Sequence, residues 1–167
     1  MTELRAVLAT AAHAHDLGVR LAGLLRPGDL VLLTGELGAG KTTLTQGLGR
    51  GLGVRGPITS PTFVIARVHP SLVGGPALVH VDAYRLGDQA ELDDLDLDAE
   101  IESAVTVVEW GRGLAESLEE NRLEISLTRA GGALAQADGA RDVALTAVGP
   151  RWSGPHAADD VAAALWT

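Results

Sequence analysis

Apolar positions along the chain follow two rhythms, and the switches between them mark out the elements. Residues 4–9 form a short apolar run that reads as a first strand. Thr10 stands where a helix cap belongs, and Leu17, Leu21, Leu24 and Leu25 follow at the spacing of an amphipathic helix. Arg26-Pro27-Gly28-Asp29 is turn chemistry that stops this helix. Residues 30–34 are continuously apolar, as expected of a strand covered on both faces. From Lys41 to Leu52 the helical spacing returns, and it ends at Gly53. Five more strands are expected at residues 63–68, 77–81, 105–109, 123–128 and 143–148. The last two alternate apolar with polar positions, the pattern of a half-exposed antiparallel hairpin, and a Gly- and Ala-rich stretch at 130–140 joins them. Two of the apolar runs, 78–81 and 105–108, each lead into a carboxylate. Strands interleaved with helices in this way predict an α/β fold.

Composition narrows the picture. A chain of 167 residues is most simply one domain, expected at residues 1–150, with 151–167 as a tail that forms a short helix around 159–166. With only 3% aromatic residues, its core has to be built from Leu, Val and Ala. There is no cysteine, which excludes disulfides, thiolate metal sites and cysteine nucleophiles. The start, Met1-Thr2-Glu3-Leu4-Arg5, lacks the basic and apolar regions of a signal peptide, and no apolar stretch is long enough to cross a bilayer. A soluble cytoplasmic protein is expected. The formal net charge is -9 and the basic residues are scattered. Nucleic-acid binding draws much of its affinity from clustered Lys and Arg that release counterions from phosphates. Direct binding to RNA or DNA is therefore not expected, although a partner can bring the chain to RNA.

Gly35-Glu36-Leu37-Gly38-Ala39-Gly40-Lys41-Thr42 fits the phosphate-loop pattern G-x-x-x-x-G-K-[ST], between an expected strand and an expected helix. Glycines let backbone N–H groups turn inward around phosphates, and the helix N-terminus adds the positive end of its dipole. Lys41 would bridge the β- and γ-phosphates of a nucleotide, and the Thr42 hydroxyl would ligate Mg²⁺. Thr43 follows at the same helix end. The chain holds 21 glycines, so a chance match needs weighing. Lys41 is the sole lysine among 13 basic residues, and a lone lysine would fall in this pattern about once in 600. A compact ammonium fits between phosphates where the planar fork of arginine does not.

Such a loop needs an acid at the end of a neighbouring strand to hold Mg²⁺, directly or through water. Asp82 and Glu109 both qualify, and both would emerge at the carboxyl edge of the sheet, where open α/β folds bind ligands. Ser60-Pro61-Thr62-Phe63 lies where many such proteins place a γ-phosphate sensor. Thr62 can serve Mg²⁺, its water or the γ-phosphate, or the segment is a simple turn. Residues 91–100 are rich in Asp and Glu but lack the glycine and glutamate of a calcium loop, so a solvated acidic segment is expected. His13 and His15 are expected on the surface, His69 and His156 in loops beside prolines, and His80 packed beside Asp82. None has metal-ligand spacing with another histidine.

Together, residues 35–45, Ser60-Pro61-Thr62-Phe63, His80-Val81-Asp82-Ala83-Tyr84-Arg85-Leu86 and Val108-Glu109-Trp110 resemble the TsaE family, small bacterial ATPases needed to make threonylcarbamoyladenosine in tRNA. The motifs span residues 34–112, and even the acidic 91–100 stretch is similar to the family's connection. The resemblance implies a three-layer P-loop NTPase-like fold with a central, mostly parallel sheet and an antiparallel C-terminal hairpin. It also implies ATP and Mg²⁺ as cofactors, and action with TsaB-like and TsaD-like proteins, the latter transferring the threonylcarbamoyl group. Catalytic roles follow by resemblance for Lys41, Asp82, Glu109 and Thr62, metal binding for Thr42 and Glu109, and a place beside the site for Trp110. Gly111-Arg112 departs from the family, which often carries proline or an acidic residue after the tryptophan.

Two other function classes compete. A stand-alone small-molecule kinase would use the same loop with a strand-end Asp as base and Arg85 or Arg112 on the transferring phosphoryl group. A GTP-dependent switch would read guanine with an Asn-Lys-x-Asp segment. The only lysine is already in the phosphate loop, so that segment is absent and ATP is the expected base.

Overall fold

The computed structural model describes residues 3–60, 65–95, 98–131 and 139–166. Seven strands form one sheet: β1 (Glu3–Leu8), β2 (Leu30–Gly35), β3 (Ala66–His69), β4 (Ala77–Asp82), β5 (Ala104–Glu109), β6 (Arg122–Arg129) and β7 (Arg141–Val148). Their spatial order is β1-β7-β6-β2-β5-β4-β3. The centre, β6-β2-β5-β4, is parallel throughout. β1 and β7, β7 and β6, and β3 and β4 pair antiparallel. The expected parallel centre and C-terminal hairpin are both present, and the sheet as a whole is mixed, because each edge folds back antiparallel.

Helices α1 (Ala11–Ala22), α2 (Lys41–Leu52) and α5 (Ala157–Trp166) cover one face. Thr10 caps α1, its hydroxyl accepting the His13 N–H at 3.3 Å. Leu17 and Leu21 of α1 and Leu44 and Leu48 of α2 are fully buried against Val31, Leu33 and Val107 of the sheet. Each such leucine contributes on the order of 2 kcal/mol through water removed from its surface. The two helices approach so closely that a Cβ on Gly47 would overlap the His15 carbonyl oxygen. On the other face, α3 (Gln89–Asp93), α4 (Asp98–Ile101) and a 3₁₀ turn at Ala115–Ser117 cover only the β2-β5-β4 side.

Three expectations need correction. The 91–100 stretch is not uniformly solvated, since Leu92 is buried and, with Ile101, anchors α3 and α4 to Val79, Val81 and Val108. Its charge masked apolar positions at helical spacing. His69 is not in a loop but on β3, buried, with Nδ1 3.0 Å from the Arg55 carbonyl oxygen. The third strand begins at Ala66, later than expected, and residues 63 and 64 lie outside the described region.

The tail does more than cap the fold. Trp152, Val161 and Leu165 join the main core, and Arg151 grips the buried Asp29 carboxylate with Nε at 2.7 Å and Nη2 at 2.8 Å. Asp29 immediately precedes β2, so this pair ties the tail to the strand that carries the phosphate loop. Among the described residues no helix is long and apolar enough to cross a membrane.

Candidate functional site at the phosphate loop

β2 runs out of the core at Gly35 and the chain turns through Glu36, Leu37, Gly38 and Ala39 before α2 begins at Lys41. Gly40, the residue before the helix, has φ of 105°, a left-handed conformation that a side chain would disfavour. The peptide joining Ala39 to Gly40 directs its oxygen outward to Arg141 Nε, at 3.1 Å. In a trans peptide the Gly40 N–H then points the opposite way.

Lys41 is buried, 5% exposed, and its ammonium donates to the carbonyl oxygens of Gly35 at 2.7 Å and Glu36 at 3.0 Å. It also lies 4.3 Å from the centre of the Trp110 ring, a cation–π contact. Burial lowers its pKa from the usual lysine value, while the carboxylates of Glu109 and Asp82 oppose that and favour the charged form. Tyr84 meets Trp110 edge-on, with ring centres 5.2 Å apart. Trp110 itself has φ of 61°, unusual for a bulky residue, and its N–H donates to the Leu33 carbonyl at 3.0 Å. Strain of this kind persists only where the surroundings over-determine it, and it concentrates at functional sites.

Asp82 and Glu109 are register partners at the carboxyl ends of adjacent parallel strands, about 4.8 Å apart as strands are. Glu109 is 3% exposed and its Oε1 lies 2.9 Å from Nε2 of His80, which is wholly buried. Asp82 is half-buried, and its Oδ1 accepts the Tyr84 N–H at 3.0 Å. His80 therefore bonds Glu109, a partner that the reading of the sequence did not name. His80 and Asp82 sit on the face of β4 that looks toward α2, because side chains two apart in a strand share a face.

Leu37, Gly38, Gly40, Lys41, Thr42, Thr43, Ser60, Asp82, Tyr84, Arg85, Glu109 and Trp110 line one cleft of about 520 Å³. Gly35 and Glu36 contribute carbonyl oxygens to Lys41 rather than wall, and the Ala39 side chain is buried in the core. Thr62 lies outside the described residues. Arg112 is placed elsewhere, in hollows on the far side of the sheet beside Thr34 and Ser126. One of those, about 680 Å³ among Arg5, Asp142 and Trp166, is larger than the phosphate-loop cleft. It lacks a helix N-terminus, and its acids, Glu3 and Asp142, stand at the beginnings of their strands rather than at carboxyl ends, so the chemistry and not the size selects the site. Reading the sequence missed Tyr84 and Ser60 as lining residues, although they fall inside the motifs quoted above, and named Arg85 only for the kinase alternative. It also missed Arg141, 102 residues from Ala39, for which no local signal exists.

The donor set suits a hard divalent cation. Thr42 and the two carboxylates are all oxygen ligands, and the described residues contain no cluster of three His, Cys, Asp or Glu. Mg²⁺ typically takes one or two protein oxygens and completes its shell with phosphate and water, which is what this set leaves room for.

A strand–loop–helix with left-handed glycines, opening at the carboxyl edge of a parallel sheet beside two strand-end acids, defines a P-loop NTPase-like protein. The chain belongs to the TsaE family: the family model described as "Threonylcarbamoyl adenosine biosynthesis protein TsaE" matches residues 8–137. The tRNA threonylcarbamoyladenosine biosynthesis protein TsaE of Streptomyces coelicolor is 63% identical over 140 residues, 83% of this chain and 93% of that one. The protein of the same name from Bacillus subtilis is 41% identical over 132 residues, covering 78% of this chain and 77% of its own. The crystal structure of Bacillus subtilis YdiB superposes with a TM-score of 0.74 at 30% identity, over 97% of this chain and 95% of that chain. The family serves threonylcarbamoyladenosine biosynthesis, and this chain's fold and motifs place it there.

Proposed function

We propose that this chain binds MgATP in the phosphate-loop cleft and hydrolyses it as an accessory subunit of the assembly that makes threonylcarbamoyladenosine at tRNA position 37. TsaB-like and TsaD-like proteins are its proposed partners and the cytoplasm its proposed location. The carrying observation is the chain's single lysine, held at a helix N-terminus beside two strand-end carboxylates in register.

Lys41 exchanges the carbonyls of Gly35 and Glu36 for phosphate oxygens, keeping its charge because Glu109 and Asp82 are near. The N–H groups of the loop and of the first turn of α2 bind the remaining phosphate oxygens. Thr42 and Glu109 hold the cation. When bound, Mg²⁺ neutralises charge that builds on the β- and γ-oxygens. Asp82, at the mouth of the cleft, orients the attacking water, and Thr62 is the proposed γ-phosphate contact. Trp110 and Tyr84 shield the ammonium from solvent, which strengthens its field on the phosphates. The surplus of acid over base, with a net charge of -9, leaves tRNA contact to the partners.

Reconstitution with TsaB and TsaD tests this reading. Lys41→Ala should abolish modification and ATP turnover, and equal modification by the variant overturns the proposal. A stand-alone kinase is the competing reading, favoured by Arg85 in the cleft wall. Phosphorylated metabolites formed by the isolated protein would support it, and slow hydrolysis alone would remove it. ATP should compete better than GTP for the cleft, since no lysine remains to read guanine.

A further inference from the structure

We infer that His80 is a positioning residue for Glu109, fixing one carboxylate oxygen so that the other faces the cation. The inference rests on the proposed Mg²⁺–nucleotide reading of the cleft and adds to it a residue that never touches the ligand. His80 has no exposed surface, and its Nε2 is 2.9 Å from Glu109 Oε1. An ionised carboxylate only accepts hydrogen bonds, so the bond to Glu109 is one that Nε2–H donates. Nδ1 is also buried and has no hydrogen-bond partner among the described residues. A buried polar atom left without a partner is a cost. An apolar side chain would pack among Leu78, Val105 and Val107 without it. Packing alone therefore does not explain a histidine here; its bond to Glu109 does.

The geometry explains how the effect is transmitted. His80 and Asp82 lie on β4, Glu109 on β5, and the ladder aligns Asp82 with Glu109. Glu109 can thus be tethered from below, by the residue two positions before its neighbour, without blocking the cleft. The Glu109 side chain is 4% exposed, so few other conformations compete with the one that His80 holds. Partners of this kind behind a metal-binding carboxylate typically change metal affinity by 10–100-fold when removed.

The test compares His80→Gln with His80→Asn. Gln places its amide N–H near the position of Nε2, whereas Asn reaches only to that of Nδ1, and both leave a polar group in the same buried site. Binding of ADP is measured by calorimetry in EDTA and again with Mg²⁺, and the ratio of the two affinities is the readout. His80→Asn should bind ADP in EDTA like the natural protein but lose roughly tenfold or more of the Mg²⁺-dependent tightening. His80→Gln should recover most of it. Equal tightening in all three proteins overturns the inference while leaving the nucleotide reading intact. Tightening lost alike in both variants also overturns it, because the N–H is then not what matters. No tightening in the natural protein overturns the Mg²⁺ reading and this inference with it. Nitrogen-15 spectra of labelled histidine give a second, ligand-free measurement: the ring resonances missing in both variants should include a protonated Nε2. An Nε2 without a proton would refute the proposed bond.

Discussion

Arg141 offers the sharpest perturbation of the site, because it acts on the phosphate loop from behind. It begins β7, across the ladder from Arg129. Its Nε donates to Ala39 O at 3.1 Å, its Nη2 to Gly38 O at 3.2 Å and its Nη1 to Ala140 O at 2.9 Å. Two successive loop carbonyls are thereby pinned to the sheet. A buried hydrogen bond from a charged donor is worth about 1.5–3 kcal/mol net. These two are long and the Nη2 bond is exposed, so together they hold the loop by about 1–2 kcal/mol. In Arg141→Ala that ordering has to be supplied by the ligand, which converts to nucleotide binding about 5- to 30-fold weaker. Removing a positive charge near phosphates also weakens binding, and Arg129→Ala controls for it. Arg129 is exposed, and among the described residues it makes no hydrogen bond to the loop. At physiological salt its loss should cost about twofold or less. Calorimetric titration with MgADP at matched ionic strength gives the comparison, and thermal melts confirm that both variants are folded. If the two variants bind equally well, the clamp is irrelevant and the reasoning fails.

Three further outcomes follow from the packing and the buried charges. Arg151→Ala removes both side-chain bonds to the Asp29 carboxylate, which is 3% exposed, and should cost about 2–4 kcal/mol in urea unfolding. An effect under about 0.5 kcal/mol would mean that the tail does not secure β2. Gly47→Ala forces a methyl group into the His15 backbone, so α1 and α2 must separate, with a loss of about 1–3 kcal/mol or more. A melting temperature that is unchanged or raised would contradict this close approach. Burial holds the His69 pKa below the usual 6.5, so in that interval the unfolded chain takes up a proton the fold excludes. Stability should be complete above pH 6.5 and fall as pH drops below it, and His69→Gln should flatten that fall. Parallel curves for the two proteins would remove His69 as the cause.

What could be read from the sequence was whatever depends on local pattern. The helix over Lys41–Leu52 and its stop at Gly53 are encoded by spacing and one left-handed residue, and both stand as expected. The runs ending in Asp82 and Glu109 gave two buried strands, and a parallel sheet then brings their ends together. The rest depends on pairings between distant segments. Nothing near Arg141 says that β7 will lie behind the phosphate loop, because that follows only once β6 has paired with β2. Nothing near Arg151 points to Asp29, which is 122 residues away. His69 read as a loop residue because Pro70 follows it, but β3 is an edge strand whose last residue tolerates a proline neighbour. His80 was the recoverable miss. Alternation along β4 sets it on the face of Asp82, and only the register with β5 decides that Glu109 is its partner.

A count of charges then bears on how the two acids divide their work. The cleft lining sets Lys41 and Arg85 against Asp82 and Glu109, so a triphosphate entering alone finds no surplus of positive charge and is repelled by both acids. A divalent cation removes that repulsion, which is the electrostatic argument for a metal-dependent site. Burial separates the acids further. Glu109 is 3% exposed and tethered by an imidazole, and a fixed, desolvated carboxylate suits an ion that must be held in one place. Asp82 is half-buried, among the described residues its carboxylate is hydrogen-bonded to the backbone N–H of Tyr84, and it is closer to solvent. A carboxylate at the mouth can exchange water and still turn its free oxygen toward a phosphate. Glu109 as cation ligand and Asp82 as the group that orients water, the division proposed above, is thus the arrangement that costs least desolvation, and exchanging the two roles would expose the ion and bury the water.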